Sequence, residues 1–365
     1  MNVCIIGDGL TSLSLAKNLI NKKINVKIYQ KKLTNNLLSN RTIGISKKNL
    51  NFFKKEIFEI SPKIIWEIKK IEIYSEKLNN NRILNFGDNK NDLFYMIKND
   101  SLYESLNKKL SKSKFFKKKI IRDKNFYSKF LKKNNYDLII NCDQNNHIAK
   151  KYFNKKINKD YKNIAFTTIL EHEKLDNSSA IQIFTNHGPI AFLPMSKVKT
   201  SVVYSVNIKD KKYDDDEVLK LIKKYNPKFK IIKIQKLNSF ILKSSNLRNY
   251  YYKNILAFGD ILHKIHPLAG QGFNMTLRDI KDLSCIIQKK INLGLELNTL
   301  ILEEFQKKTK SKNFIFSSGI DFIYEFFNFD KKNQNKNINR ILKLFGKNKI
   351  FMSSIIKLAD EGLNN

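Results

Sequence analysis

Apolar and polar positions along the first thirty residues fall in the order strand, turn, helix, strand. The run Val3-Cys4-Ile5-Ile6 is apolar throughout. Gly7-Asp8-Gly9-Leu10-Thr11-Ser12 breaks it, and Leu13, Leu15, Ala16, Leu19 and Ile20 recur at helical spacing before a second strand-like run, Val26 to Tyr29. This pattern predicts a βαβ opening. Two later stretches, Tyr136 to Asp143 and Asn254 to Asp260, repeat one grammar, a short apolar strand ending in an aspartate. Open α/β sheets bind ligands at the carboxyl ends of their strands, so the three ends are expected to converge on one crevice. Between them, Ala180 to Phe184, Ile190 to Pro194 and Thr200 to Val206 are β-rich runs separated by His187-Gly188-Pro189 and by Ser196 to Lys199, which predicts an inserted antiparallel sheet. After Asn274, the positions Met275, Leu277, Ile280, Leu283, Ile286, Ile287 and Ile291 keep a helical period. The remainder reads helical, with a polar break near Asp330 to Asn337. The expected fold class is α/β: a Rossmann-like domain, an inserted, mainly antiparallel β-sheet domain and a C-terminal helical segment.

A chain of 365 residues buries a large core, and its length points to about two domains. The three cysteines, Cys4, Cys142 and Cys285, are far apart and form no CxxC pair, which speaks against a disulfide framework or a zinc knuckle and for a reducing cytoplasm. With no basic leader at the N-terminus and no window approaching about eighteen unbroken apolar residues, the expectation is a protein neither secreted nor membrane-spanning. Lys plus Arg number 69 against 33 Asp plus Glu, a formal net charge of +36. The lysines are spread along the chain together with many asparagines and isoleucines, the signature of an A+T-rich coding bias. A membrane-surface role is compatible with this charge, since each basic residue near anionic lipid adds roughly 1 kcal/mol. Nucleic acid is not an expected partner, because zinc-finger spacing, an RNP-like aromatic motif and a basic heptad region are all missing.

Three of the twelve glycines and two of the five histidines lie within GDILHKIHPLAGQGFN, residues 259 to 274. Gly7-Asp8-Gly9 follows a strand and opens a helix, the context in which such a turn cradles a dinucleotide pyrophosphate: Gly7 makes the turn, Gly9 admits the phosphates, and the helix N-terminus supplies N–H groups. Ser12 replaces the third glycine. The second strand of such a unit ends in an acid that binds a ribose; here Gln30 stands in its place, an acceptor without charge. In the later stretch, Asp260 sits at a strand end within reach of polyol hydroxyls, Pro267 forces a turn, and Gly270-Gln271-Gly272 lets backbone approach a flat ligand ahead of a helix beginning near Asn274, whose N-terminus favours negative charge. A metal site at Asp260, His263 and His266 is disfavoured, because Pro267 and the glycines interrupt the helix that would align them; no metal is expected.

Gly7-x-Gly9, Arg41-Thr-Ile-Gly-Ile-Ser46, Asp137 to Asp143, Gly188-Pro-Ile-Ala-Phe-Leu-Pro194 and GDILHKIHPLAGQGFNMTLRD together resemble the FAD-dependent aromatic hydroxylases (class A flavoprotein monooxygenases), specifically the ubiquinone-biosynthesis branch. The resemblance implies FAD as cofactor, held by Gly7, Gly9, Leu10, Thr11, Gln30 and Arg41 along its dinucleotide, by Asp260 at the ribityl and pyrophosphate region, and by Pro267, Gly270, Gln271, Gly272, Phe273 and Asn274 around the isoalloxazine. It implies a discontinuous FAD-binding domain at 1–70, 95–155 and 245–300, a substrate domain at 71–94 and 156–244, and a C-terminal helical segment at 301–365. It also implies that NAD(P)H reduces the flavin, that O2 is the oxidant and that one oxygen reaches the ring of a polyprenylated phenol, with no side chain acting as nucleophile or acid/base. One motif departs from the family: Asp143 is followed by Gln144-Asn145-Asn146-His147 where a glycine is usual, with Lys150 at the basic position. Expected partners are the phenol, O2, other quinone-biosynthesis enzymes and an anionic membrane surface, with a cytoplasmic location peripheral on the inner membrane. The aromatic stretch Phe314 to Phe329 is a lipid-docking candidate, although core packing suits most of its rings. Three other readings stand beside this one: a flavin-dependent reductase of prenyl lipids, a non-catalytic scaffold of the quinone pathway, and a basic nucleic-acid or membrane binder.

Overall fold

The computed structural model describes residues 1–333 and 362, apart from 32–40, 77–81, 88–91, 123–125, 133–134, 209–210 and 268–269. Asn2–Ile6 forms the central strand of a six-stranded sheet, flanked by Asn25–Gln30 and Phe116–Ile120 on one side and by Leu138–Asn141, Ile255–Ala257 and Tyr251–Tyr252 on the other. All pairings but the last are parallel. Strand order therefore reverses at the central strand, which opens a crevice at the carboxyl ends. The outer strand Phe116–Ile120 reads FKKKI, and its lysines keep that open edge soluble. Leu10–Asn21 follows the central strand as a helix because its apolar positions recur at helical spacing, and Leu13, Leu15, Ala16 and Leu19 are fully buried against the sheet.

Lys156–His172 is the long backbone of a second, nine-stranded sheet, pairing antiparallel with Lys199–Asn207 and with Asn238–Leu247. Its period-2 pattern is interrupted at Asp160 to Asn163 by a register shift with Lys162 at φ 55°, a bulge that bends the strand. The three strands expected from the apolar runs are Ser179–Thr185, Gly188–Ser196 and Lys199–Asn207. Lys70–Ser75 adds to this sheet in parallel and Arg82–Phe86 beyond it. One face, with Phe192, Val202, Tyr204 and Val206, packs on the helix Asp215–Lys224. A third sheet of Thr42–Ser46, Phe94–Lys98 and Ile65–Ile68 lies in between, joined to the large one where Thr42 Oγ1 donates to Ser201 Oγ at 3.0 Å.

Two boundaries differ from the sequence reading. The helix expected from Asn274 starts at Gln271 and runs to Asn292, because Gly270 adopts the left-handed conformation (φ 63°) that ends the preceding turn. The polar break begins inside a helix: Thr299–Asn333 continues through Asp330, since lysine and asparagine there are no helix breakers. The rest of that break, Gln334 to Asn337, lies outside the described residues.

Candidate functional site

Backbone ladders align the carboxyl ends of the parallel strands. Gly7 N–H donates to Tyr29 O at 2.8 Å, Cys142 N–H to Ile6 O at 2.8 Å, and Phe258 N–H to Asn141 O at 2.9 Å. The glycine turn, Gln30, Asp143 and Asp260 thus gather at one edge. Gly7 has φ +107°, and a Cβ there would lie 3.3 Å from Asp143 N. Gly9 caps the first helix with no side-chain hydrogen bond, no acid follows in the first turn, and a Cβ on Gly9 would meet nothing within 4 Å. The N–H groups of Leu10 and Thr11 are therefore offered to whatever enters. Leu10 contributes only backbone, its side chain being buried in the core. Thr11 touches the later motif: a Cβ on Gly259, at φ +63°, would lie 2.9 Å from Thr11 Cγ2.

Carboxylates around the turn are unequal. Asp8 accepts from Tyr103 OH at 3.3 Å; burial pushes its pKa up, opposed by Lys118 and by that hydrogen bond. Asp143 meets Lys31 at 3.8 Å and accepts from Asn145 N–H at 2.9 Å, while Asp260 is exposed in the crevice. The departure Gln144-Asn145-Asn146-His147 has its own structural logic. Asn146 caps a short helix through Ala149 N–H (2.8 Å) and pairs amide to amide with buried Asn141 (2.7 and 3.2 Å).

At the other end of the crevice, Asn274 holds the Thr42–Ser46 strand against the long helix. Its oxygen accepts from Ser46 N–H (2.9 Å) and Asn49 Nδ2 (3.0 Å), and its nitrogen donates to Gly44 O (2.9 Å) and Gly270 O (3.2 Å). This fully engaged side chain is a positioning group. A Cβ on Gly270 would sit 3.5 Å from Gly44 N, whereas one on Gly272 would meet nothing within 4 Å. The helix beginning at Gln271 carries neither a side-chain cap nor an acid in its first turn. Phe273 is half-buried against the main core, and Pro267 is half-buried ahead of residues outside the described set. Arg41, exposed, lies over the Phe240 ring at 5.9 Å.

The two histidines diverge. His263 Nε2 meets Asp279 Oδ2 at 2.5 Å in full burial, and Asn313 Nδ2 donates to the other Asp279 oxygen at 2.9 Å. His266 stacks on Tyr324 and meets Tyr161 edge-on, with Nε2 at 3.3 Å from Ser205 Oγ; burial, aided by Lys159, lowers its pKa to about 3 and keeps it neutral. Among the described residues, no three His, Cys, Asp or Glu side chains cluster as metal ligands.

On the large sheet, strand alternation turns Ser201, Val203 and Ser205 away from the Tyr204 core and toward Thr42 and His266. In register with Val203 lie Thr167 and Ala191, and this row of three is half-buried while its flanking positions are buried. The row forms a partly open floor between the two sheets. Neither this floor nor the Asn274 clamp was visible in the sequence. Both depend on pairings between segments far apart in the chain, although Gly44 and Ser46 did stand in the motif noted there.

The crevice suits FAD by its own chemistry. Among the described residues, Gln30 Oε1, buried at the end of the second strand, has no partner, and neither has buried Gln271 Oε1. Buried acceptors left unpaired cost about 1–3 kcal/mol each, which hydroxyl or N–H donors of a dinucleotide and a flavin ring relieve. The open Gly9 turn and two uncapped helix N-termini match a pyrophosphate and a flavin that becomes anionic on reduction.

A model of the FAD binding domain matches residues 146–293. The ubiquinone biosynthesis monooxygenase COQ6, mitochondrial, of Dictyostelium discoideum is 22% identical over 405 aligned positions, 89% of this chain and 81% of that protein. The 3-demethoxyubiquinol 3-hydroxylase of Escherichia coli is 28% identical over a shorter stretch, 40% of this chain and 39% of that protein. The solved structure of p-nitrophenol 4-monooxygenase PnpA from Pseudomonas putida has a TM-score of 0.78 at 12% identity, covering 100% of this chain and 98% of that one. The sheet topology is that of PnpA, and in sequence the chain is similar to the FAD binding domain and to ubiquinone biosynthesis monooxygenases.

Proposed function

We propose that this protein hydroxylates the aromatic ring of a polyprenylated phenol in ubiquinone biosynthesis, using FAD, NAD(P)H and O2. The observation that carries the reading is the half-buried row Thr167, Val203 and Ala191, set between the sheets beside an FAD-type crevice. Bound FAD, reduced by NAD(P)H, supplies oxygen activation and delivery of one oxygen atom to the ring.

Each group of residues then has a physical task. The N–H groups after Gly9 hold the pyrophosphate, Gln30 accepts from the adenosine ribose, and exposed Asp260 accepts from polyol hydroxyls. The uncapped N-terminus at Gln271 and Gly272 places positive dipole and N–H donors against the flavin ring, stabilising negative charge there. Asn274 fixes the spacing of that helix from Gly44, and the sheet floor positions the phenol and excludes water from it. An electron-rich phenol needs no side-chain nucleophile, in keeping with the apolar floor.

The tail of such a substrate resides in lipid. Phe314, Ile315 and Phe322 are 45%, 57% and 69% exposed on the helix Thr299–Asn333, with exposed Lys307 and Lys310 on its preceding turns. Phe316 packs inward, and the side chains of Phe326, Phe327 and Phe329 lie outside the described residues. Apolar rings next to lysines match an anionic membrane surface, which supports a peripheral, cytoplasmic-side location. Among the described residues no helix is long and apolar enough to cross a membrane. The test is to purify the protein, identify any released flavin, and follow NAD(P)H oxidation with and without a prenylphenol. Hydroxylated product formed in step with NAD(P)H supports the proposal. A colourless protein that FAD cannot reconstitute favours the scaffold reading, and prenyl-chain reduction without oxygen uptake favours the reductase.

A further inference from the structure

The half-exposed floor of the large sheet continues past the three positions beside the flavin crevice. In register across the strands, Thr167 pairs with Val203, Val203 with Ala191, Ala191 with Gln182, and Gln182 with Ile73. Cross-strand partners project to one face of a sheet. All five are half-buried, so solvent reaches the row along its whole length. At about 4.8 Å from strand to strand, the row runs ~19 Å from Thr167 to Ile73.

Two apolar packings leave this row between them. On one side, Ala180, Ile71 and Leu193 of the large sheet pack with Ile68, Met96 and Trp66 of the small sheet. On the other, Ala165 and Phe184 pack with Met275, Phe316 and Ile320 from the two long helices. The row is therefore the bottom of a trough with apolar walls. Its ends differ in character. Beyond Thr167 stands exposed Asn238, and two residues along that strand is Phe240, 38% exposed beneath the Arg41 guanidinium. Beyond Gln182 stand Ile73 and then Leu84, both apolar. The backbone assigned to the flavin lies near the first end: Ser201, two residues before Val203, binds Thr42, two residues before Gly44.

Resting on the phenol reading above, we propose that the stretch from Ala191 to Ile73 is the subsite for the substrate's prenyl tail. The ring lies on Thr167 and Val203 beside the flavin, and the tail runs away from the polar end toward Ile73. At roughly 1.5 Å per C–C bond, the four chain bonds of a prenyl unit span ~5 Å. The three strand spacings from Val203 to Ile73, about 14 Å, thus hold about three units. Among the described residues the sheet ends one strand later, at Arg82–Phe86, so further units leave the trough. Of the three side chains in the subsite only Gln182 is polar, which makes it the position where the tail's fit is most easily improved.

The experiment titrates FAD-loaded protein, through the flavin absorbance, with 2-methylphenol, 2-geranylphenol, 2-farnesylphenol and 2-geranylgeranylphenol. Burial of each added stretch of tail should tighten binding roughly tenfold or more from methyl to geranyl and again to farnesyl, and little beyond it. The readout in variants is the ratio of farnesyl to methyl affinity, in which any change common to both ligands cancels. Ile73→Glu should lower this ratio about tenfold or more, and Gln182→Leu should raise it about threefold or more. A farnesylphenol bearing a diazirine at the tail end covers the case of a variant that does not fold. On wild-type protein, light should attach it within Lys70–Ser75, Ser179–Thr185 or Arg82–Phe86. Labelling confined to the helix Thr299–Asn333, or a ratio unmoved in both variants, overturns the subsite. Tailless and tailed phenols bound equally overturn it too, while leaving the phenol reading in place. A wild-type protein that binds FAD but none of the four phenols overturns the phenol reading, and this inference with it.

Discussion

One methyl group at Gly9 separates a binding glycine from a structural one. Gly9 has φ −68° and ψ 176°, a conformation open to any L-residue, and an added Cβ meets nothing within 4 Å. Alanine there is unstrained in the folded chain, and its restriction of the unfolded chain, about 0.4–1 kcal/mol, is offset by its poorer performance as an N-cap, so the FAD-free protein should unfold within about 1 kcal/mol of wild type. If the turn cradles a pyrophosphate, the same methyl occupies the approach to the N–H groups of Leu10 and Thr11. Losing two charge-assisted hydrogen bonds at about 1.5–3 kcal/mol each predicts a fall in FAD affinity of roughly two orders of magnitude or more. Gly7→Ala is the control. Its φ of +107° and its neighbours Asp143 N, Cys142 C and Ser12 Oγ at 3.3–3.4 Å make alanine strained in the protein itself, costing about 1–3 kcal/mol. Urea unfolding of the FAD-free proteins and flavin titration by fluorescence quenching separate the two effects. A Gly9→Ala protein that binds FAD like wild type refutes the assignment of this turn to the pyrophosphate.

Asn274→Ala removes the hydrogen bonds that its amide makes with Ser46 N–H, Asn49 Nδ2 and Gly44 O in a buried site; at about 0.5–1.5 kcal/mol for each bond, urea unfolding should show a loss of roughly 1.5–4.5 kcal/mol, together with weaker FAD binding. His266 makes stability pH-dependent: with a folded pKa of about 3 against roughly 6.5 unfolded, stability is complete above pH ~6.5 and falls as pH drops, because only the unfolded chain takes up the proton. Between pH 6.5 and 4 the wild-type protein should lose about 3 kcal/mol more than His266→Gln, and equal losses in the two proteins would exclude this origin. Phe322→Ser, at a position 69% exposed, should leave the unfolding midpoint unchanged and reduce co-sedimentation with anionic vesicles, with little effect on neutral ones.

What the sequence disclosed was local. Val3 to Ile6, the glycine turn and the helix after it are read from contiguous residues, and the three strands between Ser179 and Asn207 announce themselves by β-branched runs between turns. Lys156–His172 did not, because its first half, KINKDYKN, alternates lysine and asparagine on a bulged segment with few apolar residues to carry a period-2 signal. The site divides the same way. Gly7, Gly9, Gln30, Asp260 and Gly270 were singled out because turns and strand ends require particular residues at particular spacings. The Asn274 clamp spans 228 positions to Ser46, and the Ser205 to His266 contact spans 61. No periodicity encodes either, since each exists only once the sheets are assembled. Likewise the Asn141 and Asn146 pair accounts for a segment that, in sequence, read only as a departure from the expected glycine.

The central claim is transfer of one oxygen atom from O2 to a prenylated phenol. FAD-loaded protein, NADH or NADPH and a short-chain prenylphenol under isotopically heavy O2, followed by mass spectrometry of the extracted lipid, tests it in one step. The account predicts a product carrying a single heavy oxygen on the ring, formed in step with NAD(P)H oxidation. Unlabelled phenol recovered from a reaction in which FAD is bound and NAD(P)H is consumed would contradict it.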